Sequence, residues 1–317
     1  MLATELRKLW NQSAPLTATT ILMLGAFVAS VVGIFADLRL ITGMPAWLKP
    51  AKFAISTAIY SATIAWLFRY VQIWPRFKRV SSWVLSIVLI GEVALIDVQA
   101  ARGTSSHFNV STPADIALFS VMGTMILILW LVTAGIAVML FKQPFADQPW
   151  GWSLRLGMLL SVIGSATGGM MIRPTPEQIT MIEAHQRITT VGAHTVGAPD
   201  GGPGMPGVGW STEHGDLRIP HFLGLHALQL IPFVGWLISR RRGSPRTVFV
   251  AAASYLALVA ILMWQALRGQ SILEPDRATV LAGAVFLAAT IAGFAWSLRP
   301  SRAMVTGLAR AGSKGLV

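Results

Sequence analysis

Apolar runs of about 20 residues, broken by short polar stretches, recur along the whole chain. A helix needs about that length to cross roughly 30 Å of hydrocarbon. The pattern predicts spans near residues 17–36, 51–70, 80–101, 115–141, 151–172, 219–239, 247–268 and 278–298. The expected fold is all-α, a polytopic integral membrane protein with eight transmembrane helices. Composition agrees, because 54% hydrophobic and 12% charged residues with a mean hydropathy of +0.62 do not describe a soluble domain.

Charge then orients the spans. With the N-terminus on one side, that side collects Arg7, Lys8, Arg69, Arg76, Lys78, Arg79, Lys142, Arg155, the Arg240 to Arg242 run, Arg246 and the tail, 16 of the 25 basic residues. Only Glu5 and Asp147 of the 13 acids join them. The positive-inside rule therefore predicts a plasma (inner) membrane protein with N- and C-termini cytoplasmic. The formal net charge of +12 follows from that asymmetry and from facing anionic lipid, so the expected partner is the bilayer and no nucleic acid is needed. Residues 1–12 carry charge without an apolar core or cleavage site, so the first span is expected to be retained. The absence of cysteine excludes thiol redox chemistry, iron–sulfur clusters and thiolate metal sites.

An internal echo suggests duplication. Gln99, Ala100, Arg102, Gly103 and Ser105 follow the third span, and Gln265, Ala266, Arg268, Gly269 and Ser271 follow the seventh with the same spacing. A weaker echo links Leu48, Lys49, Lys52 and Phe53 to Leu217, Arg218, His221 and Phe222. The expectation is a 4+4 parallel internal repeat, 1–142 and 143–317, with sites between the halves. The second half also carries an outward, Gly- and Pro-rich segment, 173–218, expected to act as a lid or as a docking segment for a protein partner.

All six histidines fall on the outward side under this topology. Glu92 lies ten residues before Arg102, about 15 Å by helical rise, near the middle of the bilayer. A carboxylate there is costly unless protonated or paired, and such residues are functional by default. The alternative is a protonated Glu92 bonded to a neighbouring Ser, Thr or Trp, with Asp97 and Arg102 as an interfacial ion pair. His226 and Gln229 share a helix face, whereas His221 and His226 diverge by about 140°, so they are not a standard metal pair. A neutral core His226 and an interfacial His221 are the plainer alternatives. His185, His194 and His214 sit in the long loop in no recognisable metal spacing; solvent exposure is the simpler reading. Against the charge rule, Lys49, Lys52, Arg102, Arg218 and Arg268 all fall at outward helix ends, which suits a small anionic ligand or haem propionates; pairing with lipid phosphates or nearby acids explains them equally well.

The sequence thus predicts a convergence of His107, His221, His226, Asp97 and Glu92 beneath the loop. Glu92, Asp97 and Arg102 form the candidate catalytic set, with Glu92 and Asp97 handling protons; His107, His221 and His226 would hold haem or a transition metal, and Lys52, Arg218, Arg268 and Gln229 would bind the cofactor, the basic groups holding its anionic part. In outline, eight spans in two halves with outward histidines, the chain resembles haem A synthase. That family's paired histidines on helices of both halves have no counterpart, because the first half offers only His107, in a loop. The leading expectation is a haem- or metal-binding membrane oxidoreductase. The same residues also suit a proton-coupled transporter using Glu92 and His226, or an assembly or sensory protein acting through loop 173–218. No phosphate-binding loop, dinucleotide fingerprint, HExxH or serine elbow is present.

Overall fold

Short oxygen-bearing side chains and prolines set the helix starts. Ser13, Thr112, Asp147, Thr175, Ser244 and Asp276 each accept a backbone N–H from the turn that follows, and all but Asp276 are followed by a proline within two residues. These side chains satisfy donors that a helix start leaves unpaired, and proline removes another. The computed structural model describes residues 2–241 and 243–299. Arg242 and the basic tail after Arg299, which enter the charge argument, lie outside the described residues.

The helices are α1 (Leu2–Gln12), α2 (Ala14–Ala36), α3 (Leu48–Leu67, continued by a 3-10 turn to Tyr70), α4 (Pro75–Ala101), α5 (Pro113–Lys142), α6 (Gln148–Ala166), α7 (Pro176–Glu183), α8 (Arg218–Arg240), α9 (Pro245–Leu267) and α10 (Arg277–Ser297). Two small antiparallel pairs, Leu40–Ile41 with Met44–Pro45 and Thr195–Val196 with Gly215–Asp216, fasten the loops at one end of the bundle.

Seven helices are long and apolar enough to cross a membrane: α2, α3 with its turn, α4, α5, α8, α9 and α10. The protein is therefore multi-pass and suited to a lipid bilayer. Of the eight spans expected, the fifth differs. Its 19-residue helix α6 is long enough but falls short in apolarity among the described residues, because Gly151, Ser153, Gly157, Ser161 and Gly164 make up much of its buried face. That face meets protein rather than lipid. A Cβ placed on Gly164 would come within 2.3 Å of Gly224 in α8, and one on Gly157 within 2.8 Å of the Pro232 ring. Small residues let two backbones approach this closely, so α6 holds its place by contact rather than hydropathy. Helix α8 runs on through Pro232.

The packing order recurs. In α2, α3, α4 and α5 the first helix packs on the second, the second on the third, the third on the fourth, and the first also on the third; α6, α8, α9 and α10 repeat that order. The largest apolar cluster joins Leu16, Ile64, Leu85, Ile136, Leu154 and Met158 with Leu228. A second cluster, Phe108, Met171, Leu217 and Ala266, sits under the long loop and anchors it to both groups of helices.

Candidate functional site

The ends of α4 and α9 are closed by the echoed residues. Gly103 and Gly269 adopt left-handed φ values of 73° and 71°, each donating its N–H to an alanine carbonyl, Ala100 or Ala266, at 2.9 Å. Gln99 and Gln265 donate their side-chain amides to the carbonyls of Ser105 and Ser271, at 3.5 and 2.9 Å. Arg102 then pairs with Asp115 at the start of α5 at 2.9 Å, and Arg268 pairs with Asp276, the cap of α10. Hydrogen bonds from Arg268 and the Thr279 N–H hold the Asp276 carboxyl well below the usual range. Both arginines are helix fastenings, and neither lines the cavity described next. Asp97 has no ion pair with Arg102, whose partner is Asp115.

Beneath the loop lies a cavity of about 780 Å³. Lys49, Lys52, His107, His194, Asp200 and Arg218 stand in its wall among Met44, Phe53, Ile96 and Phe108. Lys52 Nζ donates to the Val208 carbonyl at 3.0 Å, and Arg218 is held by Asp216 at 2.5 Å. Lys49 differs: it enters none of the ion pairs among the described residues and rests only over the Phe53 ring, 5.8 Å from its centroid.

The long loop positions His107. Val191 donates its N–H to the Phe108 carbonyl and Val110 donates to the Thr189 carbonyl, both at 2.9 Å, so strand-like pairing clamps residues 108–110. Phe108 carries a left-handed φ of 65°, unusual for an aromatic residue, and its ring is buried against His194 and Phe119. With Phe108 turned inward, the His107 ring faces Glu92: Nε2 stands 3.4 Å from Glu92 Oε1, and Nδ1 meets Ser106 Oγ at 3.0 Å. Burial, with Lys49 and His194 nearby, holds the His107 imidazole well below the ordinary histidine range, so it is neutral at pH 7. Glu92 is 3% exposed, and neither carboxyl oxygen makes a hydrogen bond.

Across the cavity, His194 Nδ1 donates to Asp200 at 2.6 Å, and Asp200 also accepts the backbone N–H groups of His194 and Thr195. Burial lowers the His194 pKa although Asp200 opposes it; burial pushes Asp200 up, but its three donors hold it well below the carboxylate range.

The other expected site residues lie elsewhere. His221 is wedged between α6 and α8, its Nδ1 3.1 Å from the Gly164 carbonyl, and His226 Nδ1 donates to the Phe222 carbonyl at 2.8 Å within its own helix. Neither lines the cavity. Gln229 donates to Thr63 Oγ1 at 3.1 Å, tying α8 to α3. His214 lines the cavity but His185 does not. Among the described residues no three His, Asp or Glu side chains come together as a metal would require. The sequence reading passed over Asp200, which looks like a turn residue among glycines and prolines; only the folded loop turns it toward His194. No family model, curated protein or solved structure matches the chain.

Proposed function

We propose that this multi-pass membrane protein binds a small anionic solute in the cavity under loop 173–218 and couples its passage or release to protonation of Glu92 through His107. The observation that carries this reading is that the cavity wall holds Lys49, which enters no ion pair among the described residues, and the neutral His107, whose ring reaches a carboxyl buried behind the wall without a hydrogen bond, Glu92. An anion entering would supply the missing partner of Lys49. A proton taken up by Glu92 would remove its uncompensated charge in the membrane. Asp200 and His194 extend the row of proton-carrying groups toward the loop. The haem or metal reading would need His221 and His226 beside His107, and both are engaged with backbone carbonyls outside the cavity.

The recurring packing order and the twin closures of α4 and α9 support a duplicated plan, 1–142 and 143–317, with α6 as an eighth span. The charge asymmetry supports cytoplasmic termini in a plasma membrane, with the cavity opening outward. The bonds from Lys52, Val110 and Ser271 to loop 173–218 favour a lid over a free docking arm.

The test is thermal stabilisation of detergent-purified protein by acetate, phosphate and sulfate, wild type beside Lys49→Met. At least one anion is expected to raise the midpoint in wild type and not in the variant. Equal responses would overturn the reading. A Soret band or stoichiometric metal in the same preparation would instead restore a redox role.

A further inference from the structure

On the side of Glu92 away from the cavity, three serines share its condition. Ser61, Ser81 and Ser86 are 0%, 1% and 4% exposed, and none of their hydroxyls has a hydrogen-bond partner. Serine and threonine in apolar helices are ordinarily satisfied by the carbonyl four residues back. Ser30, Thr63, Ser82, Thr124 and Thr133 all do this here, at 2.7 to 2.9 Å. The three exceptions use neither their own helix's carbonyls nor any other protein group.

Their placement is ordered. Ser81 is eleven residues before Glu92 on the same face of α4, about 16 Å along the axis. Ser61 lies on α3, which runs antiparallel to α4. Ala54 and Ala58 cluster with Val93, while Ile64 and Ala65 share a cluster with Leu85 and Leu89. That register sets Ser61 level with the turn from Ser86 to Leu89, between Glu92 and Ser81. By height the unpartnered oxygens descend from Glu92 past Ser61 and Ser86 to Ser81, with Ser86 about 120° around α4 from Glu92, so that the path winds between α3 and α4 and does not run down one face. Buried polar atoms without protein partners are served by internal water, and in hydrocarbon nothing else can serve them.

We propose that Glu92, Ser61, Ser86 and Ser81 line a hydrated proton track leading from the cavity floor to the opposite membrane face, so that Glu92 exchanges protons with both sides. This rests on the proposed titration of Glu92 and extends it. Each hydroxyl or water accepts one proton and releases its own, so one proton enters as one leaves. The charged and titratable groups around the track are Lys49 and His107 above Glu92, Asp97 a part-turn away on α4, and Lys78 at the foot. Lys78 Nζ is held by the carbonyls of Phe68 and Val71 at 2.8 and 3.1 Å, which ties its charge to the end of α3.

The experiment follows the Glu92 carboxyl band by infrared spectroscopy in vesicles of one orientation, the band being assigned by its loss in Glu92→Gln. A pH jump is applied to one face at a time, in wild type and in Ser61→Ala/Ser86→Ala. The double variant removes hydroxyls that bond to no protein group, so its thermal midpoint should match wild type. Its response to a jump on the face away from the cavity is expected to slow about tenfold or more, with the response from the cavity face unchanged. Equal rates in variant and wild type would overturn the track while leaving the cavity reading intact. A wild-type band that answers neither face would overturn the titration of Glu92 itself.

Discussion

At the end of α4, Gln99, Arg102, Gly103 and Ser105 close the helix and tie it to α5; at the end of α9, Gln265, Arg268, Gly269 and Ser271 do the same for α10. Seven residues before Gln99 stands Glu92, whereas seven before Gln265 stands Leu258. Lys49 enters no ion pair among the described residues, but its echo Arg218 is paired with Asp216; Lys52 lines the cavity, but its echo His221 is held by the Gly164 carbonyl. The residues shared by the two regions are fastenings. Of those found in only one of them, Glu92 is buried without a hydrogen bond and Lys49 enters no ion pair among the described residues, which is why the proposed site is built on these two.

The sharpest break comes from α6 and α8, the helices that pack with α9. Gly164→Val would force side-chain atoms into the Gly224 backbone, which cannot yield as a flexible side chain can. A loss of about 3 kcal/mol is expected in detergent unfolding, the upper end for overpacking. In α4, the Cβ of Gly91→Ala would meet only the flexible end of Met125, its methyl at 3.0 Å and its sulfur at 3.4 Å, and that substitution should cost almost nothing. Equal losses would mean that the α6–α8 seam is not the tight one.

Next in size is an exchange at the site. Glu92→Leu removes a buried carboxyl that makes no hydrogen bond and should stabilise the protein by about 1–3 kcal/mol while abolishing the proposed coupling to protons. Leu258→Glu should destabilise it by at least as much. A destabilising Glu92→Leu would show that the carboxyl has a structural partner and is not held ready for a proton.

These contrasts show what a reader of the sequence could and could not see. The apolar runs reveal seven helices directly, because lipid-facing residues must be apolar. Helix α6 is ambiguous for the opposite reason: its neighbours are protein, so glycine and serine replace leucine. Glu92 stood out by depth alone, and Lys49 and Lys52 by violating the charge rule. The pairing of His107 with Glu92 was not legible, since it depends on a left-handed Phe108 clamped by a loop more than 80 residues further on in sequence. The helical histidines misled because spacing reveals which face a residue occupies, but not whether a carbonyl already holds it.

A smaller effect should follow pH. Burial lowers both His107 and His194 below the unfolded histidine value of about 6.5, so their contribution to loop closure is full above that value and is lost as pH falls toward the folded values. Asp200 stays ionised until far lower pH and holds the loop meanwhile. Lys49, Arg218, Glu92 and Asp200 are the charges facing the two rings. Hydrogen exchange at Val191 and Ala193, corrected for intrinsic rate, should quicken between about pH 7.5 and 5.5. Unchanged protection would mean that the loop does not sense these imidazoles.

The smallest contrast lies between the two arginine fastenings. Asp115 is almost fully buried and also accepts from Gln99 and Thr112, so Arg102→Met leaves a carboxylate in the interior with neutral partners only. Arg268 and Asp276 are more than a third exposed on both sides of the pair, and water replaces the partner that is lost. Arg102→Met should therefore lower the thermal midpoint measurably and Arg268→Met should leave it within error. If both fall alike, the two helix ends share energetics as well as geometry, and the asymmetry of the molecule is confined to Glu92, Lys49 and His107.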